Sequence, residues 1–219
     1  MPTILCFGDS NTWGALPGDS GRHPWSERWP GVLQQQLGDE YRIIEEGLCG
    51  RTTAWDDPLE SGLNGLAYLS IALQTHNPID LLVVMLGTND VKTRFNLTAF
   101  SIAQGAAELL QLAIRSEPKI PRILLISPPH VSSTDNIENT LAFEGAIEKS
   151  RELSKHYEYF AEKHDCFFFD AATVIESSAV DGIHLDAHAH RNLAFRLHSK
   201  IEEILKNGYN KRKKTHLLT

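Results

Sequence analysis

Ile4-Leu5-Cys6-Phe7-Gly8-Asp9-Ser10-Asn11 sets the reading of the whole chain. An apolar run bounded by a glycine and then by small polar residues predicts a buried strand that ends in a sharp turn. Ser10 falls just past that strand. If Thr12 and Trp13 open a helical turn, the serine hydroxyl stands beside backbone N–H groups able to stabilise negative charge. The same four residues, Gly-Asp-Ser-Asn, are also common in capping turns, so the tetrad alone leaves both readings open.

The pattern recurs along the chain. Tyr41 to Glu45 reads as a shorter strand followed by the glycine-punctuated loop Gly47-Leu48-Cys49-Gly50-Arg51-Thr52. Asp80 to Leu86 is a continuous apolar run, as expected of a strand buried on both faces, and it ends in Gly87-Thr88-Asn89-Asp90. Arg122 to Ile126, stopped by Pro128 and Pro129, and Cys166 to Phe169 complete five strands. Helical spacing falls between them, near Pro30 to Leu37 (Ser26 a candidate cap, Gly38 its end), Leu66 to Thr75, Thr98 to Ser116, Phe143 to His164 and Asp186 to Leu205. This alternation predicts an α/β fold, a mostly parallel five-stranded sheet with helices on both faces. Right-handed crossovers put every strand's carboxyl end on one edge, where such folds bind ligands. Ser10, Gly47 and Asn89 each follow a strand, so all three are expected on that edge.

The chain of 219 residues, 42% hydrophobic, is long enough to bury one substantial core. Its net charge of -7, from 21 Lys and Arg against 28 Asp and Glu, gives no field suited to nucleic acid or to anionic lipid. Neither partner is expected. Three cysteines, Cys6, Cys49 and Cys166, with no C-x-x-C spacing, suggest no disulfide framework and fit a reducing, cytoplasmic location. The first strand begins almost at Met1, with no signal-peptide pattern before it.

A serine nucleophile needs a base, and the base needs an orienting partner. His76, His156, His164, His198 and His216 are expected to be solvated, and His23 falls in a loop read as mobile. His184, in Val180-Asp181-Gly182-Ile183-His184, lies after the fifth strand, and Asp181 can hold one imidazole nitrogen while the other faces Ser10. Two other arrangements compete with this one. A second Gly-Asp-Ser, Gly18-Asp19-Ser20, sits among Pro17, Gly21 and Pro24 with no strand to fix it and reads as a surface turn. His184, His188 and His190 with Asp181 or Asp186 would make a metal-dependent hydrolase, but His188 and His190 point to different helix faces, and surface roles are expected for them.

Gly8-Asp9-Ser10-Asn11, Gly47, Gly87-Thr88-Asn89-Asp90 and Asp181-Gly182-Ile183-His184 resemble the four ordered blocks of the SGNH, or GDSL-type, esterase and lipase superfamily. Leu5 to Ser10, Thr12-Trp13-Gly14, Glu45 to Leu48, Arg51-Thr52-Thr53, Asp56-Asp57-Pro58 and Leu63-Asn64-Gly65 are similar to bacterial arylesterases that are also acyltransferases. The resemblance implies Ser10 as nucleophile, His184 as general base and then acid, and Asp181 as its orienter. It implies an oxyanion hole of the Ser10 and Gly47 N–H groups and the Asn89 amide.

The reading is therefore one domain, residues 1–206, of flavodoxin-like three-layer α/β/α architecture, with a basic tail, 207–219, to which no function is assigned. It is expected to cleave short-chain carboxylic esters, small molecules, through an acyl-serine without cofactor or metal, with acyl transfer as a further activity and a homo-oligomeric state. A carbohydrate O-acetylesterase or a thioesterase is the alternative, and a non-catalytic binding module lies in another class. Asp9, Asn11 and Trp13 are expected to contact substrate, Trp13 being equally readable as a core aromatic. Arg51 and Asp57 are read as lining the alcohol side or pairing with each other, and Cys49 as a packing residue.

Overall fold

Among the described residues five strands, β1 (Thr3–Gly8), β2 (Arg42–Gly47), β3 (Leu81–Met85), β4 (Ile123–Ser127) and β5 (Phe167–Asp170), pair in the order β2-β1-β3-β4-β5. Every pairing is parallel, so the sheet is wholly rather than mostly parallel. The computed structural model describes residues 1–215, with side chains through residue 206; the expected basic tail, 207–219, lies outside the described side chains.

Alternation along the strands divides the core in two. Leu5, Phe7, Leu82, Val84 and Leu125 face one side and pack with α3 (Gly65–His76), α4 (Ala99–Arg115) and α6 (Ala146–Lys163). Ile4, Cys6, Leu81, Val83, Met85, Leu124 and Ile126 face the other, against α2 (Trp29–Leu37) and α7 (Ala187–Thr215). Strands β1, β3 and β4 are buried on both faces, which is why their sequences are continuously apolar. The edge strands β2 and β5 are only half-buried.

Local chemistry sets the helix ends. Thr98 Oγ1 accepts from the Ser101 N–H at 3.1 Å, and Asp186 Oδ1 from the Ala189 N–H at 2.8 Å, at the starts of α4 and α7. Ser26 does not cap α2: the capping position is Arg28, without a side-chain bond, because the Glu27 and Arg28 N–H groups already turn back onto the Pro24 carbonyl. The long helix expected from Phe143 starts only at Ala146. Gly145, at φ +71°, breaks it from a six-residue α5 (Ile137–Ala142) that sequence periodicity did not signal. Among the described residues no helix is long and apolar enough to cross a membrane.

Strand order reverses between β1 and β3, so the crevice of such a fold opens beyond the carboxyl ends of these two strands. Ser10 begins the short helix α1 (Ser10–Trp13) directly after β1, and Asn89 follows β3.

Candidate active site

The turn at Ser10 is made possible by what the neighbouring residues lack. A Cβ on Gly8 would lie 2.0 Å from Thr12 Oγ1 and 2.8 Å from the Met85 carbonyl oxygen, so only glycine lets β1 fold directly into α1. Asp9 caps the new helix by accepting from the Asn11 N–H at 2.9 Å, and Gly14, at φ +89°, ends it. Ser10 is thereby held at a strand end, nearly buried.

The loop before α7 brings His184 to Ser10. His184 Nε2 stands 3.0 Å from Ser10 Oγ, and His184 Nδ1 stands 2.6 Å from Asp181 Oδ2. Asp181 is itself fixed: Oδ1 accepts from the Ile183 and His184 N–H groups at 3.0 and 2.9 Å, and Oδ2 from the Gly18 N–H at 2.9 Å. Burial works to raise the Asp181 pKa, but the hydrogen bonds from His184 and Ile183 outweigh it and hold the carboxyl well below the usual range. The aspartate is thus an anion throughout the neutral range, and the imidazole proton is directed to Nδ1. Gly182, at φ +76°, allows the tight turn between the two residues.

Ser10, Asn89 and His184 meet in a cleft of about 550 Å³. Asn89 Nδ2 donates to the Arg51 carbonyl at 3.1 Å, which orients its amide. Gly47 is not part of this lining. It ends β2 opposite Gly8, and a Cβ there would sit 2.2 Å from the Trp13 N, so its glycine serves the close approach of α1. The loop residues that reach the cleft are Cys49 and Gly50, the latter at φ +81°. Among the described residues the Gly50 N–H has no backbone acceptor, whereas the Arg51 N–H bonds the Leu48 carbonyl.

Two further expectations are corrected. Asp9 and Asn11 are buried and do not line the cleft. Asn11 instead ties the serine turn to the histidine loop, donating to the Ile183 carbonyl and accepting from the Leu185 N–H, each at 3.2 Å. Asp9 Oδ2 has no partner among the described residues, and burial raises its carboxyl to about 6 against the opposing Asn11 N–H and His184 charge. Buried Asp90 is likewise raised to about 6 by desolvation, although it accepts from the Thr53 N–H and hydroxyl at 2.9 and 2.5 Å. Trp13 does line the cleft, with the Arg22 guanidinium 4.6 Å from its ring.

Arg51 neither lines the alcohol side nor pairs with Asp57. It bonds the Gly8 and Glu46 carbonyls and lies 4.3 Å over the Phe7 ring, while Asp57 pairs with Arg94. Ser20 is on the cleft rim, but its hydroxyl faces Asp19 at 3.4 Å rather than a histidine. Cys49 is also on the rim, and burial pushes its thiol up. The rival metal ligands are dispersed. His188 bonds Asn192, and His190 is buried, its Nδ1 accepting from the Trp29 N–H at 3.3 Å. Burial lowers His190 to about 3. His23, expected in a mobile loop, is buried 5.0 Å from the His190 ring. Among the described residues no three His, Cys, Asp or Glu side chains are grouped to hold a metal.

Sequence reading missed Lys92, Arg94, Glu138, Asn139 and Phe143, which also line the cleft. Their signal is position: residues 92–95 follow the Asn89 turn, and residues 130–145 follow β4 onto the same edge.

Comparison with known proteins agrees with this fold. The model of the GDSL-like lipase/acylhydrolase family matches residues 6–192. The native aryl esterase of M. smegmatis superposes with a TM-score of 0.92 at 40% identity, over 94% of this chain and 100% of that one. A carbohydrate acetylesterase family member from Sinorhizobium meliloti gives 0.91 at 41% identity, over 94% and 100%. Est24, a carbohydrate acetylesterase from the same organism, gives 0.89 at 39%, over 92% and 99%. A search of the curated proteins returns no match.

Proposed function

The chain belongs to the GDSL-like lipase/acylhydrolase family and is a carboxylic ester hydrolase, and from this premise we propose that it cleaves short-chain esters through an acyl-enzyme on Ser10. As Ser10 Oγ attacks the ester carbonyl carbon, its proton passes to His184 Nε2, and Asp181 stabilises the imidazolium. The carbonyl oxygen becomes an oxyanion facing the Ser10 N–H, the Gly50 N–H and the Asn89 amide, neutral donors that need no protonation. Collapse breaks the bond to the alcohol oxygen, which takes the proton from His184. Water, deprotonated by His184, then attacks the acyl-serine and releases the acid. An alcohol in place of that water gives acyl transfer.

The observation that carries this reading is the relay of 3.0 and 2.6 Å from Ser10 through His184 to Asp181. A fluorophosphonate should label Ser10, found by mass spectrometry of the digested protein, and a chain-length series of aryl esters should favour the shortest acyl groups. Added alcohol should divert product to the new ester. Label on Ser20, or none, would overturn the assignment.

A second reading, a carbohydrate O-acetylesterase, is favoured by the charged side chains of Asp19, Glu60, Lys92, Arg94 and Glu138 in the cleft, which suit a polyhydroxylated alcohol. Two of the similar structures are of carbohydrate acetylesterases. Acetate release from acetylated oligosaccharides at a kcat/KM above that for aryl acetates would select it.

A further inference from the structure

Lys92 stands in the cleft wall without an ion-pair partner among the described residues. Its backbone N–H donates to the Asn89 carbonyl at 3.2 Å, which ties its position to the amide facing Ser10. Two carboxylates whose charges act on it, Asp57 and Glu60, are both paired with Arg94. Among the described residues the Lys92 ammonium has no hydrogen-bond acceptor and no carboxylate within ion-pair reach, and its remaining contact of note is the Phe143 ring at 5.7 Å. Burial lowers its pKa, and Arg94 lowers it further, against the opposing charges of Glu60, Asp57 and Asp9. A half-buried ammonium has lost part of its hydration without gaining an anion in exchange, so an anion entering the cleft is favoured there. A short acyl group fills little of the roughly 550 Å³, and the rest of the lining, Lys92 included, is left to the alcohol half.

We propose that Lys92 is a specificity-determining residue that selects esters whose alcohol half carries a carboxylate or phosphate. This rests on the serine-esterase reading above. Arg94 reinforces the selection by pairing with Asp57 and Glu60, so among the described residues Lys92 is a cleft cation with no carboxylate partner.

The probe is 4-acetoxybenzoate against its methyl ester, a pair that differs in charge but not in the acyl group. Each kcat/KM is divided by the ester's own hydroxide-catalysed rate. The wild-type protein should prefer the anion. Lys92→Met should lower the anion-to-neutral ratio about ten-fold, chiefly through KM, and Lys92→Arg should restore most of it. Raising salt to about 0.5 M should shrink the wild-type ratio, because a solvent-accessible ion pair is screened. A ratio unmoved by Lys92→Met overturns the proposal. So does an equal loss for both esters, which would mark Lys92 as a side chain that shapes the cleft without reading charge. Hydrolysis of the methyl ester that requires Ser10, with no charge preference, would leave the esterase reading standing without Lys92's role; hydrolysis of neither ester would remove both.

Discussion

Asn11 and Leu185 are joined across the site, the Leu185 N–H donating to Asn11 Oδ1 at 3.2 Å while the Asn11 amide donates to the Ile183 carbonyl at the same distance. These two bonds fix the segment that carries His184 against the turn that carries Ser10, so the side chain next to Ser10 positions the imidazole. Asn11→Ala should leave a buried N–H and a buried carbonyl unpaired, at about 1–3 kcal/mol each. The expected result is a lower Tm together with a kcat reduced about ten-fold and a KM little changed. Reduced stability with wild-type kcat would show that the histidine loop holds its place without Asn11.

Asp181 serves two segments at once. Its Oδ2 accepts from His184 Nδ1 and from the Gly18 N–H, so it orients the imidazole and anchors the loop 15–28. Asp181→Asn should cost kcat on the order of 10⁴, since an amide donor at that position favours the wrong imidazole tautomer. It should also place an N–H against the Gly18 N–H and speed hydrogen exchange at Gly18. A loss below about 100-fold would mean that another acceptor shares the task of holding the ring.

Asp9 makes stability depend on pH in an unusual sense. Its folded pKa, raised by burial to about 6 from 3.8, lies above the unfolded value. The folded state therefore holds the proton more tightly, and this contribution is fully present below about pH 4 and is lost as pH rises through 6. Asp90, raised likewise, acts in the same window. Asp9→Asn keeps an oxygen for the Asn11 N–H and removes the buried charge, so it should raise stability at pH 7.5 by about 1–2 kcal/mol and give no gain at pH 4. Urea unfolding of both proteins at the two pH values checks this. An equal gain at both, or a loss at pH 7.5, would show that the carboxylate charge is not the cause.

What the sequence revealed, and what it hid, follows from the range of the forces involved. Leu81 to Met85 could be read as a strand because burial on both faces demands an uninterrupted apolar run. Ser10, Asn89, Asp181 and His184 could be read because parallel topology brings chain that follows a strand to one edge. The choice between Gly47 and Gly50 could not. Both belong to one glycine-rich loop, and only the packing of Trp13 against Gly47 shows which N–H is left for the cleft. Asn11 looked like a substrate contact because its true partners, Ile183 and Leu185, are far away in sequence. His23 and His190 looked solvated for the same reason, since each is buried by elements remote in the chain.

In the proposed mechanism Asn89 acts on the transition state alone. Its amide is held by the Arg51 carbonyl, which leaves its second N–H bond for the cleft, and neither group changes charge during the reaction. Such a donor binds a developing oxyanion more strongly than a neutral ester carbonyl, so its loss falls on kcat rather than on KM. Asn89→Ala should lower kcat roughly 100-fold or more, about 3 kcal/mol, with fluorophosphonate labelling of Ser10 slowed but still present. Asn89→Asp should be no better than alanine, because a carboxylate repels the charge that the amide is there to receive. Wild-type kcat in Asn89→Ala would take this residue out of the oxyanion hole and leave the Ser10 and Gly50 N–H groups to hold the oxyanion by themselves.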